Sequence, residues 1–293
     1  MLSLHLAAFL FGMAGLFSKF LLVPATVIVW GRATFAVIAT IFYLRARGQR
    51  FVLLCRSDGW LLITQGVVLA FHWFAFFYSI QISSVAVGLL SFSTFPVFVL
   101  AIESLLTRRP IQLSEVCGVA LILIGLAFIV PKFSFDGQAL MGVVWGVLAG
   151  FSFAVLTLLN RKLSAGYRAA QISLAQNFVA ALVLTPLIVG ELAGISGRDW
   201  LLLLVLGIFC TALAHSLFIY SLTKVRAFVA SIVASLEPVY GICAAFLILG
   251  EVPTVREVFG GMMILAAAIA LTLRGTSPAA KGLLREDSAP SLV

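Results

Sequence analysis

Long apolar runs, each about twenty residues and each ended by a short polar break, follow one another along nearly the whole chain. At about 1.5 Å per residue, a helix of that length crosses a hydrocarbon core about 30 Å thick. Ten runs can be marked, near 2–20, 25–44, 60–80, 85–106, 112–130, 138–160, 169–190, 200–222, 228–249 and 257–273. The first has no basic residue before it and no evident small-residue cleavage site, so it reads as a span rather than a signal peptide. The connections are too short for a soluble domain, and the polar stretch 275–293, rich in Ser, Pro, Ala and charge, is expected to be a disordered tail. The pattern predicts an all-α integral membrane protein with ten transmembrane helices.

Slid against itself by 142 positions, the chain matches at polar landmarks as well as apolar ones. Tyr78-Ser79 falls on Tyr220-Ser221, Ser93 on Ser235, Pro96 on Pro238, Glu115 on Glu257 and Gly118 on Gly260. Two five-span repeats follow, 1–130 and 138–274, with the tail after them. Because five is odd, the second repeat enters the membrane from the opposite side. Inverted repeats of this kind build secondary transporters with a substrate cavity near the midplane between the halves. The earlier spans repeat more weakly: Gly12 and Gly15 mark span one, and "GVVWGVLAG" sets Gly142, Gly146 and Gly150 on one helical face of span six. Small residues in that spacing let a neighbouring backbone approach closely in lipid, either as fixed packing or as a sliding surface.

Composition agrees with the pattern. The chain of 293 residues is 62% hydrophobic and 10% charged, with mean hydropathy +1.18, against about half apolar and a quarter charged in a soluble domain. Charge adds an orientation. Fourteen Lys and Arg (45, 47, 50, 56, 108, 109, 161, 162, 168, 224, 226, 274, 281, 285) fall on one side, against Lys19, Lys132, Arg198 and Arg256 on the other. Lys and Arg bias loops toward the cytoplasm, so both termini are expected there, in a multi-pass protein of the inner (plasma) membrane. The net charge of +8 is scattered over separate loops, which argues against nucleic acid and suggests at most contact with anionic lipid.

Catalytic and metal signatures are missing. Cys55, Cys117, Cys210 and Cys243 show no metal spacing and read as small apolar filler. There is no P-loop, H-E-x-x-H or G-x-S-x-G, and all four aspartates, Asp58, Asp136, Asp199 and Asp287, lie in loops or the tail. No enzyme activity, cofactor or metal is expected.

Polar groups at membrane depth are few, and such groups usually face a cavity or a partner. Glu237, in the middle of span nine beside Pro238, is the deepest acid. It either takes a substrate ammonium or a proton, or it serves the scaffold by pairing with a buried base or accepting donors freed at the proline. Arg32, inside span two, either snorkels outward or clamps a substrate carboxylate. Lys19 reads as an interface anchor, and Glu103 is expected to pair with Arg108 or Arg109. His72 and His215 lie in spans three and eight, where each could carry protons or simply donate to a backbone carbonyl. Gln65, His72 and Ser79 form a polar stripe on span three. Thr211, His215 and Ser216 form another on span eight, and Gln176 and Asn177 contribute from span seven, all converging on the expected cavity. Trp60 and Trp200 read as interfacial belt residues. Trp73, Phe76, Tyr78, Phe95, Trp145 and Tyr240 fall beside the stripes, as an aromatic lining or as packing, and Pro96 and Pro238 are expected to kink their helices.

The stretch "SLEPVYGICAAFLILGE" followed by "EVFGGMMILAA", with its fainter partner "STFPVFVLAIESLL" followed by "EVCGVALILIG", resembles the repeated signature of the EamA-type drug/metabolite transporters. The resemblance covers all ten spans. It implies a basket of two intertwined five-helix units, with spans one to four and six to nine around a central cavity and spans five and ten outside. Bacterial members of similar length export amino acids, aromatic ones among them, and other metabolites. The motif often carries Glu before its proline, which favours a structural role for Glu237. Arg108-Arg109 stands where Gly250-Glu251 closes span nine, a departure from the pattern.

The expected function is export of a small metabolite, an amino acid with an aromatic or large apolar side chain, by alternating access in a monomer or homodimer. A drug or amine permease using Glu237 as counter-ion is the alternative within transport. A membrane receptor or scaffold is the alternative outside it.

Overall fold

A computed structural model describes residues 1–50, 53, 56–83, 85–129, 137–249, 252 and 255–275. The expected tail beyond 275, the side chain of Lys19, and Cys55, Lys132, Asp136, Gly250 and Glu251 lie outside the described residues. Among those described, every regular element is helical. The order is α1 (Leu2–Phe20), α2 (Ala25–Ala46), α3 (Arg56–Ile82), α4 (Val85–Phe92), α5 (Phe95–Thr107), α6 (Leu113–Ile129), α7 (Gly137–Leu163) and α8 (Ala169–Ile188). Then come α9 (Gly197–Gly207), a π-turn (Ile208–Leu213), α10 (Ala214–Leu222), α11 (Ala227–Ala234), α12 (Glu237–Leu249) and α13 (Val255–Gly275). Among the described residues, six segments are long and apolar enough to cross a membrane: Ala25–Ala46, Ser57–Ile82, Leu140–Leu163, Ala169–Ile188, Gly197–Leu222 and Ala227–Ile248. Four shorter apolar helices accompany them.

Where the prolines were expected to kink helices, they start new ones. Proline has no N–H to give and sits easily in a first turn, and Pro96 and Pro238 are the second residues of α5 and α12. The two breaks have the same hydrogen bonding. Ser93 donates through both N–H (3.0 Å) and Oγ (2.7 Å) to Leu89 O, and Ser235 does so to Ser231 O (3.0 Å each). Thr94 N–H reaches Ser91 O at 3.3 Å, and Leu236 N–H reaches Val233 O at 3.1 Å. Each bond has its counterpart 142 residues along the chain.

Helices from the beginning of the chain pack mainly on helices from the end. α2 lies on α8, α6 on α13, α5 on α11, α1 on α10 and α12, and α7 on α3, α4 and α5. Glycine allows two of these approaches. A Cβ on Gly12 would sit 2.7 Å from Glu237 O, and one on Gly150 would sit 2.7 Å from Phe92 O. The α1 and α7 backbones therefore press directly on the two helix breaks.

One end of the bundle is tied by charge. Glu103 does not pair with Arg108 or Arg109. Arg108 closes α5 in the left-handed conformation (φ 52°). Arg109 Nη2 instead holds both oxygens of Glu115, at 2.7 and 2.8 Å. Glu103 is reached by Arg226 at 3.2 Å and Arg161 at 3.7 Å, and Arg226 also touches Glu115 at 3.4 Å. Both carboxylates are buried, so each must find cations, and these come from whichever element is near in space. Trp60 is exposed as expected of a belt residue, whereas Trp200 is partly buried, edge-on to Trp30 and Phe35.

Candidate functional site

A small cavity lies where α1, α2, α3, α4, α7, α10 and α12 meet, bounded by Arg32, His72, Trp73, Phe76, His215 and Glu237 with Phe11, Ala14, Phe92 and Phe153. Its volume is about 30 Å³, room for a water or two and far too small for an organic solute.

The π-turn shapes one side of it. A π-turn holds one more residue per turn than an α-helix and frees backbone carbonyls. Ala214 N–H reaches back to Phe209 O, which leaves Cys210 O available, and Thr211 Oγ1 donates to Leu206 O at 2.8 Å. Arg32 takes up both new acceptors: its Nη2 donates to Cys210 O at 3.1 Å and its Nε to Thr211 Oγ1 at 2.9 Å. Gly207 permits this, since a Cβ there would lie 2.9 Å from Arg32 O. The guanidinium rests on the Trp73 ring, 4.1 Å from its centre, a cation–π contact strengthened by burial.

The opposite charge stands unpaired. Glu237 is 7% exposed and faces the cavity at the first turn of α12. Its carboxylate has no hydrogen bond and no ion pair within 4.0 Å among the described residues, Arg32 included. A buried carboxylate without a partner is costly. His72 Nδ1 lies 2.9 Å from Ala149 O, with its ring stacked on Phe153. His215 stands edge-on to Trp73 and Phe11.

Of the residues singled out from the sequence, Arg32, His72, Trp73, Phe76, His215 and Glu237 come together at this cavity. The others sit elsewhere. Phe95 is fully buried behind the wall, stacked on Phe92 at 5.0 Å. Tyr78 and Trp145 belong to a separate ring cluster with Phe74. Asn177 donates to Ser173 O at 2.7 Å, and Gln176 joins Gln65 and Asn160 in a buried amide cluster. Tyr240 turns away to His5, with its OH 3.2 Å from Nδ1. Ser79 is bound to Gly142 O at 2.6 Å. The polar stripes therefore do not converge: only the histidines reach the centre, because residues seven apart on crossing helices lie about 10 Å apart along the axis. Phe11, Phe92 and Phe153 had not been singled out. The glycines beside Phe11 and Phe153, Gly12 and Gly150, were the available signal, since they draw α1 and α7 inward.

Residues 1–130 and 140–273 match the EamA-like transporter family. An uncharacterized transporter of Bacillus subtilis (strain 168), YxxF, is 28% identical over 269 residues, 90% of this chain and 86% of its own. The pseudopaline exporter CntI of Pseudomonas aeruginosa is 26% identical over 250 residues, 85% of this chain and 86% of its own. A solved crystal structure superposes with a TM-score of 0.79 at 16% identity, covering 94% of this chain and 98% of that one, which shows a shared fold.

Proposed function

The chain belongs to the EamA-like transporter family, and we propose that it exports a small zwitterionic metabolite, an amino acid with an aromatic or large apolar side chain, by alternating access. One observation carries this reading: Glu237 and Arg32, both buried, face one aromatic-walled space without pairing to each other. Once alternating access widens this space, an ammonium would meet Glu237, a carboxylate would meet the Arg32 fork, and rings would lie along Phe76, Phe92 and Phe153. The name of the pseudopaline exporter adds a relative that exports an organic metabolite. Glu237 is also the group placed to exchange a proton for substrate, with His72 and His215 beside it.

The frame proposed for this activity is two inverted five-span repeats, 1–130 and 138–274. The paired helix breaks and the cross-packing of early on late helices favour it. The charge distribution favours cytoplasmic termini in the inner membrane, and the protein is taken to act as a monomer or homodimer.

A second reading has support of its own. Arg32 already has two protein acceptors and a tryptophan face, as an arginine with a purely structural task would. The substrate would then be an amine or cationic drug, with Glu237 as counter-ion. Proteoliposomes loaded with labelled amino acids, matching amines and sugars, with and without a pH gradient, separate the two. Efflux of amino acids supports the first reading, and efflux of amines alone supports the second.

A further inference from the structure

A larger space lies on the outside of the bundle. Beyond the point where Gly207 brings α9 against α2, the second half of α2, the π-turn, α10 and the start of α8 line it. The groove has a volume of about 650 Å³, within the range of ligand sites. Its walls are Tyr43, Phe209, Leu213, Leu217 and Tyr220. Phe209 and Tyr220 are each half exposed, so in a membrane-embedded bundle the groove opens sideways to hydrocarbon.

Thr40 and Ser216 add hydroxyls along its length, and its charged lining residue, Arg168, stands at one end. Gln49, Arg168 and Thr223 line that end, and Lys224 extends its ammonium over the Tyr220 ring, 5.9 Å from the centre. Neither Arg168 nor Lys224 has an acidic partner among the described residues. Arg109, Arg161 and Arg226, by contrast, each contact Glu103 or Glu115. An apolar trough entered from the side and ending in two free cations fits an amphiphile with an anionic head.

We propose that the groove binds an anionic phospholipid, with an acyl chain along Phe209, Leu213 and Leu217 and its phosphate at Arg168 and Lys224. Basic pockets between membrane helices hold such headgroups by the same balance of charge and apolar burial. The site is tied to the cavity by geometry. Phe209 and Leu213 are residues of the π-turn whose Cys210 and Thr211 hold Arg32, so the lipid packs against the outer side of the arginine's support.

The test is native mass spectrometry of the purified full chain, titrated with phosphatidylglycerol or phosphatidylcholine of identical acyl chains. It reads binding alone and stands apart from any substrate assignment. Phosphatidylglycerol should be retained preferentially, and the preference should fall about fivefold for each cation removed in Arg168→Gln and Lys224→Gln. Leu213→Trp, which fills the trough, should lower retention of both lipids, while Arg198→Gln should leave retention unchanged. Equal retention of the two lipids by the wild type would overturn the proposal. So would an equal loss in Arg198→Gln, or displacement of the lipid by a soluble transported solute, which would make the groove part of the substrate path.

Discussion

Arg226 Nη2 lies 3.2 Å from Glu103 Oε2, and this contact fastens the residue before α11 to α5, 123 residues earlier in the chain. With Arg226 also touching Glu115, one guanidinium bridges two buried carboxylates. Arg226→Gln leaves Arg161 and Arg109 to serve them alone and should cost about 1–3 kcal/mol. The check is a lowered melting temperature in detergent, with part of the loss recovered in the double variant Glu103→Gln/Arg226→Gln. No change on melting would mean that water already screens the cluster.

Glu237→Gln keeps the shape of the side chain and removes its charge. The KM for an amino acid should rise about tenfold, as expected for losing a charge-assisted hydrogen bond. In the wild type, affinity should fall as the pH drops, because only the ionised carboxylate attracts an ammonium. In the variant that dependence should be flat. Efflux measured across a pH series with both proteins decides it, and an unchanged profile would make Glu237 part of the scaffold.

Thr211→Val removes the acceptor for Arg32 Nε while keeping the volume. Stability should fall by about 1 kcal/mol. The more telling readout is selectivity: KM should rise for a carboxylate-bearing substrate and stay level for the corresponding amine, with Thr211→Ser restoring the wild-type ratio. A parallel rise for both would detach Arg32 from the substrate carboxylate.

Gly12→Ala places a methyl 2.7 Å from Glu237 O, where backbone faces backbone and no side chain can yield. Overpacking of this kind costs about 1–3 kcal/mol. Gly15→Ala, with nothing within 4 Å of the added carbon, is the control and should melt like the wild type. Equal behaviour of the two would contradict the close approach of α1 to the second break.

Much of this was legible in the sequence, and the limits have physical causes. Hydropathy marks spans because a bilayer tolerates little else, and the 142-residue offset located both breaks through Pro96 and Pro238. Depth could be read as well, which is why Glu237, Arg32, His72 and His215 stood out. Rotation could not. Tyr240 and Glu237 are neighbours on one helix, yet one faces His5 and the other the cavity, and hydropathy is nearly uniform around so apolar a helix. Partners distant in sequence were equally hidden: Glu103 had two arginines close by in the chain and took two others. The π-turn leaves no trace in residue type, since Ile208–Leu213 reads like any other part of its span.

That turn does more than free a carbonyl. One residue beyond α-helical spacing winds everything after it by about 100°, so α10 carries its side chains to bearings an unbroken continuation of α9 would not give. His215, edge-on to Trp73, lies in the first turn after it. Two helices built on matching stretches of sequence can thus offer different chemistry to a shared centre, not by changing which residues they contain but by phase.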